Sequence, residues 1–318
     1  MIDDPVLIED WHPVARLQDL AAGGPVAARL LGEDLVLWRS GDEFFAWRDL
    51  CVHRGTRLSL GRVEGGRLEC PYHGWTYNTD GCCVLMPAHP DQKPPARARV
   101  ATYHAKARHE LVWATLGSGA AEIPTFELME DASHHVLAAG PYRVRASGPR
   151  VVENFLDVGH FPFVHEGILG DRARPEIEDY EAQVLSDGVL ATGVKVYQPD
   201  PYATGQGSTV TYTYRVHRPL SASFIKHGPH SFGMLLSVTP HDAVDSTAWM
   251  WMAMDYEPTS EMVDFQDRIF AQDRPILESQ RPELLPLDLQ TELHLRSDRT
   301  AIAYRRWLKQ LGVRTGAY

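Results

Sequence analysis

The hydrophobic positions fall into two regimes along the chain. Over residues 35–47 they are dense in strand-forming side chains, broken by the turn Ser40-Gly41-Asp42, and short runs of the same kind recur at 67–70, 75–77 and 112–115. This predicts a small all-β domain. Residues 118–124 are small and polar, which predicts a connection, and two domains are expected at 1–118 and 119–318. Beyond the connection the pattern changes: 135–146 reads as a strand, 150–159 as a helix, and 177–197 as a hairpin turning at Asp187-Gly188. Strands are predicted again at 210–216, 231–239 and 247–256. Residues 259–281 and 297–311 then read as helices with Thr or Ser near their starts. Helices gathered against an antiparallel sheet make the second domain α+β.

With 318 residues the chain has room for two such cores. No stretch approaches the unbroken apolar run of about 18 residues that a membrane helix needs, so no span is expected. Residues 1–10 are acidic and lack the basic and apolar segments of a secretory signal, and a cytoplasmic location is expected. Forty-two acidic against 31 basic residues give a net charge of -11, which opposes attraction to phosphates; nucleic acid is not an expected partner. The four cysteines, Cys51, Cys70, Cys82 and Cys83, are too few for a disulfide framework in a chain of this size and are read for metal or redox chemistry.

Cys51-Val52-His53 and Cys70-Pro71-Tyr72-His73 form two Cys/His pairs on separate turns that can close on one centre. In one solution two thiolates hold one iron of a [2Fe-2S] cluster and two neutral imidazoles the other, which raises the reduction potential above that of an all-cysteine cluster. In the other, the four donors hold a structural zinc tetrahedrally. Spacing alone does not choose. Cys82 and Cys83 follow the turn Asp80-Gly81, fit neither pair, and read as ordinary thiols.

A second constellation lies in the segment 154–165, where Asn154, Asp157 and His160 recur at three-residue steps and predict one polar face of a helix that Pro162 stops, with His165 beyond it. Polar groups sharing a face amid apolar neighbours must pair or bind something. Two His with one carboxylate from elsewhere would leave open positions on Fe(II) for dioxygen and substrate. Asp273 is the candidate: in 259–281 the apolar stripe Met262, Phe265, Ile269 and Ile276 continues through Asp273, while Asp264, Asp267 and Arg268 lie off it. The competing reading is pairing of Asp273 with a neighbour such as Arg274.

The motifs carry a resemblance. Cys-x-His-Arg-Gly followed by Cys-Pro-Tyr-His-Gly-Trp is similar to the paired ligand loops of Rieske proteins. The order of these clips, then Asn-x2-Asp-x2-His-x4-His, then a distant Asp resembles the oxygenase α-subunits of Rieske non-haem iron enzymes along the whole chain. The resemblance implies an amino-terminal all-β Rieske domain and a carboxy-terminal helix-grip (START-like) catalytic domain. It implies that Cys51, His53, Cys70 and His73 hold the [2Fe-2S] cluster, and that His160, His165 and Asp273 bind a mononuclear Fe(II). Gly55 and Gly74 are then expected where backbone N–H groups approach the cluster sulfurs. Asn154 and Asp157 are the expected catalytic pair; Asp157 matches the bridging carboxylate that joins an iron-ligand His to a cluster His, here His73, across the interface of a homotrimer. Val36-Leu37-Trp38-Arg39, Leu58-Ser59-Leu60-Gly61, Pro87-Ala88-His89-Pro90-Asp91, His160-Phe161-Pro162-Phe163 and the run from Ala303 to Lys309 resemble, within the homo-oligomeric monooxygenase branch, the saxitoxin-tailoring hydroxylases and their bacterial relatives.

The activity this implies is that of a terminal oxygenase, which uses O2 and electrons from a separate NAD(P)H-dependent reductase of flavin or ferredoxin type. Its reaction is hydroxylation of a C–H bond or oxidative demethylation of a small organic substrate. Gly205-Gln206-Gly207 lacks the third glycine and the strand-to-helix setting of a dinucleotide fingerprint, so the reductase is expected to be another protein. Phe155, Phe161, Met252 and Tyr202 are candidates for the pocket lining. The rival readings are an aromatic-ring dioxygenase, an electron carrier or ligand-binding protein without oxygenase activity, and a zinc-stabilised interaction protein.

Overall fold

The computed structural model describes residues 2–21 and 23–318; Met1, where the expected first domain begins, and Ala22 lie outside the described residues. The chain divides into two compact units, Met1–Ile123 and Pro124–Tyr318. The division falls inside the polar stretch 118–124, which is tied to the first unit by the Trp11 indole donating to the Ala121 carbonyl (2.7 Å) and by buried Ile123.

The first unit holds β1 (His12–Arg16), β2 (Val26–Leu30), β3 (Glu33–Ser40), β4 (Glu43–Arg48), β5 (Arg62–Glu64), β6 (Arg67–Glu69), β7 (Thr76–Tyr77), β8 (Cys83–Leu85), β9 (Thr102–Arg108) and β10 (Leu111–Thr115). One antiparallel sheet runs β1-β10-β9-β4-β3-β2, and a smaller one runs β5-β6-β7-β8. Trp38 and Trp47 from the larger sheet pack with Leu68 and Tyr77 from the smaller. Cys51 and Cys70, each 2% exposed, lie in that same core, so the thiols belong to the packing that joins the two sheets.

The second unit has one antiparallel sheet made of β11 (His135–Val144), β12 (Glu181–Leu185), β13 (Gly188–Gln198), β14 (Ser208–Arg218), β15 (Ser221–His227), β16 (Phe232–Pro240) and β17 (Ser246–Met254). Its order is β11-β17-β16-β15-β14-β13-β12. Every residue of β17 is buried, as expected for an inner strand covered on both faces. The helix Glu261–Ser279 packs on β11, where Tyr142 stacks on Phe270 (centroids 4.4 Å apart) and donates to Asp267 (2.6 Å). The helix Arg299–Leu311 packs on β12 and β13, with Tyr304 donating to the Pro219 carbonyl (2.7 Å). This helix-grip arrangement is α+β. Among the described residues, no helix is long and apolar enough to cross a membrane.

The helix read at 150–159 is displaced. It runs Gly148–Leu156, with Ser147 as its cap and Gly148-Pro149 forming the first turn, a position that suits a proline because its missing N–H has no partner there anyway. Asp157 is already extended (φ -89°, ψ 131°), so Asn154, Asp157 and His160 do not share a helix face. Pro162 does not stop that helix; it sits in the first turn of a second, short one, Phe161–Val164. The stripe read through Asp273 is also rotated. The buried face of Glu261–Ser279 is Gln266, Ile269, Phe270, Asp273 and Leu277, whereas Phe265 and Ile276 are exposed. Asp273 keeps its inward place because it lies three residues from Phe270 and four from Ile269.

Candidate metal centres

In the first unit the two clips close alike. The Gly55 N–H donates to the Cys51 carbonyl (2.9 Å) and the Gly74 N–H to the Cys70 carbonyl (3.0 Å), and both glycines have positive φ (73° and 67°). That corrects the expected role: these N–H groups are spent on closing the turns, and glycine is needed for the left-handed backbone. The Cys70 sulfur is instead faced by the N–H groups of Tyr72 and His73, which favour thiolate and oppose the burial that pushes the thiol pKa up. Tyr77 lies 3.1 Å from the Cys51 sulfur, and burial raises its pKa, so it stays a hydroxyl donor.

The thiols lie inside and the imidazoles toward the surface. His53 stacks on Trp75 (4.4 Å, 4°) and lies 4.6 Å from the His73 ring. Desolvation, the neighbouring His73 and Arg54 lower the His53 pKa, which keeps the ring neutral and its lone pair free. Its Nδ1 is buried without a hydrogen-bond partner among the described residues, a costly state for a polar atom unless something is bound there. A single zinc does not suit this set. Among the described residues, the only group of three or more His, Cys, Asp or Glu with donor atoms all within 4.8 Å lies in the second unit, so these four donors are spread wider than one ion at about 2.3 Å from each ligand gathers. A two-iron cluster, thiolates on one iron and imidazoles on the other, fits. Cys83 belongs to the same core and donates to the Leu85 carbonyl (3.4 Å), while Cys82 is half-buried.

The group in the second unit is His160, His165 and Asp273. Asp273 Oδ1 is 3.4 Å from His160 Nε2 and 3.1 Å from His165 Nε2. The opposite ring nitrogens are both occupied: His160 Nδ1 by Asp157 Oδ2 (3.0 Å) and His165 Nδ1 by Gln272 Oε1 (2.8 Å). Each acceptor takes the Nδ1 proton and leaves Nε2 as the donor atom, the way a metal-bound imidazole is held in one tautomer and orientation. Asp157 is itself fixed by the Gly159 N–H on Oδ1 (2.8 Å). Asn154 Nδ2 reaches Asp273 Oδ1 at 3.5 Å, the long limit of a contact. Burial opposes protonation of His160, but the carboxylates of Asp157 and Asp273 outweigh it and push the pKa up to about 9. Burial likewise opposes ionisation of Asp273, and the two imidazoles hold its pKa below the ordinary value. A buried site that gathers positive charge in this way fits a divalent cation in the chemistry of its donors.

These three residues line a chamber of about 680 Å³ between the sheet and the helices. Phe155, Phe161, Met252 and Tyr202, read from sequence as pocket candidates, all line it. Gln272 was not anticipated; its one signal is that it adjoins Asp273. Behind the helix Gly148–Leu156 lies a buried charge network. Arg305 forms a bidentate pair with Glu153 (2.6 Å to each oxygen) and reaches Glu292 (2.6 Å), which also takes Arg150 (2.7 Å). It pins the helix that carries Asn154 and leads into Asp157.

Comparison with known proteins identifies the family of both units. The Rieske [2Fe-2S] domain model matches residues 10–104, and the vanillate O-demethylase oxygenase C-terminal domain model matches 144–314. Methylxanthine N1-demethylase NdmA of Pseudomonas putida is 35% identical over 316 residues, 95% of this chain and 88% of that protein. The solved structure of Pseudomonas putida CBB5 NdmA with caffeine superimposes with a TM-score of 0.85 at 32% identity, covering 96% of this chain and 90% of that one. Oxidoreductase NdmD of Pseudomonas putida is 39% identical over 127 residues, 39% of this chain and 21% of that protein. The chain therefore belongs to the Rieske non-haem iron oxygenases as an oxygenase α-subunit, an oxidoreductase with a [2Fe-2S] cluster and a mononuclear iron that takes its electrons from a separate reductase.

Proposed function

We propose that this chain is the terminal oxygenase of a demethylating system, in which His160, His165 and Asp273 hold the mononuclear iron. Cys51 and Cys70 hold one iron of the cluster, and His53 and His73 the other. The observation that carries this reading is the convergence of two Nε2 atoms and one carboxylate oxygen on the wall of a largely apolar chamber. The iron supplies oxygen activation there and the cluster supplies electrons one at a time. In sum, a methyl group on nitrogen or oxygen, O2, two electrons and two protons give the demethylated substrate, formaldehyde and water. NdmA and its relatives support nitrogen as the methyl bearer. Dependence on a pyridine-nucleotide reductase supports a cytoplasmic location.

The protein's own part is placement. Asp157 and Gln272 hold the two rings in one tautomer and one orientation, and ligation from one side leaves the chamber side for O2 and substrate. The apolar wall excludes water and fixes the substrate by contact. Asn154 steadies the Asp273 carboxylate. Asp157, 36% exposed with one edge on His160, has a face left to receive His73 of the partner subunit in a homotrimer.

The test is the iron and acid-labile sulfide content of anaerobically purified protein, its EPR spectrum after dithionite, and formaldehyde release with reductase, NADH and N- or O-methylated substrates. About three irons and two sulfides per chain, a Rieske signal and stoichiometric formaldehyde are expected. Zinc without sulfide would sink the reading, and a cluster without the third iron would leave an electron carrier. Gln272→Leu is expected to weaken iron binding about 10- to 100-fold while the cluster signal is unchanged; wild-type iron affinity in that variant would deny Gln272 any part in orienting His165.

A further inference from the structure

The chamber wall opposite the iron ligands is made of strands, and one of its side chains is charged. Along β15 the two-residue alternation puts Phe224 and Lys226 on the same face, and both line the chamber. Directly across the ladder, Lys226 pairs with Tyr212 of β14 and with Phe232 of β16, and these line the chamber too. An ammonium group therefore stands among Tyr212, Phe224 and Phe232 on the chamber wall.

Its surroundings do not neutralise it. Lys226 Nζ donates to the Pro201 carbonyl (2.7 Å) and lies 5.1 Å from the centre of the Tyr202 ring. Among the described residues it has no carboxylate partner. The acids nearest in the lining are elsewhere engaged or exposed: Asp273 with the two imidazoles, Asp200 as acceptor for the Thr204 and Gly205 N–H groups (2.7 and 3.0 Å), and Glu261 on the exposed rim. Two of the three ammonium hydrogens are left for something else. Partial burial lowers the Lys226 pKa to about 8, which still leaves a cation at neutral pH. Holding such a charge in a desolvated wall without an anion is unfavourable. Beside it, the Tyr212 hydroxyl accepts from Gln198 Nε2 (3.0 Å), which leaves its own proton to donate into the chamber. A cation and a hydroxyl donor, adjacent on one face, make a clamp for an oxyanion.

We infer that Lys226, with Tyr212 beside it, binds an anionic group of the substrate, so that the molecule oxidised here is a carboxylate or comparable oxyanion carried on an apolar, ring-sized body. This rests on the oxygenase reading and names the substrate class for it. The chain's net charge of -11 makes a local cation the more necessary, since the protein as a whole repels such a substrate.

The test uses the full-length holoenzyme and charge-matched probes: 3- and 4-methoxybenzoate against 3- and 4-methoxybenzamide. Binding is read by tryptophan fluorescence and thermal shift, in wild type, Lys226→Met and Lys226→Arg. The benzoates are expected to bind wild type about tenfold or more tightly than the benzamides, with the preference lost in Lys226→Met and kept in Lys226→Arg. Benzamide binding should change by less than about twofold, because its contacts are with the apolar wall. Wild type binding the benzoates no more tightly than the benzamides would overturn the inference. So would an equal loss for both probes in Lys226→Met, which would make the lysine a mere anchor for the Pro201 carbonyl. Charge-selective binding without formaldehyde or hydroxylated product, given reductase and NADH, would support the clamp and count against the demethylase reading alone.

Discussion

Asp273→Ala is expected to purify with a full cluster, about one iron short per chain, and with product formation reduced by more than about a hundredfold, beyond the roughly 10- to 100-fold that disturbing only a ligand's partner brings. The carboxylate is the sole anion among the three converging donors, 3.4 and 3.1 Å from the two Nε2 atoms. Without it two neutral imidazoles must hold a divalent ion with no charge compensation, and the second charge that favours the cation at His160 disappears. The residues proposed to hold the cluster lie in the other compact unit, so its EPR signal should be unchanged. Full iron content with normal turnover would show that Asp273 is only a neighbour of the imidazoles.

The second large effect is expected far from any metal. Arg305→Ala should destabilise the protein by about 3–5 kcal/mol, the usual result of removing one partner from a buried charge network. In thermal unfolding that is a fall on the order of 10 °C. Arg305 is 4% exposed and satisfies Glu153 bidentately as well as Glu292, so its loss takes the two-pronged partner from Glu153 and leaves Glu292 with Arg150 alone. Lysine should rescue little, since it cannot reproduce the planar two-pronged contact. The pH dependence follows from Glu292. Burial opposes its ionisation, but the two guanidinium groups hold its pKa below the ordinary 4.5. Its stabilisation is present above that value and lost as pH falls through the depressed one, so wild type and variant should converge in acid. Equal melting temperatures at neutral pH would show that the network adds nothing.

The proposed donor residues stand out in the sequence because metal ligation restricts chemistry more tightly than packing does: Cys51, His53, Cys70 and His73 occur in a spacing that ordinary cores have no reason to produce. Local geometry was less legible. Nothing in Asn154-Phe155-Leu156-Asp157 says that the helix ends at Leu156, because Asp157 is as compatible with a last turn as with the extended cap it adopts. The inward stripe of Glu261–Ser279 was misaligned since Gln266, buried against Met250 (3.2 Å), reads as polar surface while Phe265 and Ile276 read as core. β15 was missed altogether: Ser221, Ala222 and Ser223 are small, and their burial comes from the neighbours they pair with, not from their own hydrophobicity. Lys226 was missed with it.

The chamber is assembled from two kinds of backbone. The side proposed to hold the iron comes from the helix Glu261–Ser279 and the helix-and-loop segment 148–165, where each imidazole depends on a particular neighbour for its orientation. The opposite side comes from the β13–β17 ladder, where backbone hydrogen bonds hold the strands in place whatever side chains they carry. Reactivity and selectivity are therefore separately heritable in this fold. Drift at Tyr212, Phe224, Lys226, Phe232 or Met234 redraws what the enzyme accepts and leaves the chemistry in place, which makes these strand positions the natural targets for a library that seeks new substrates.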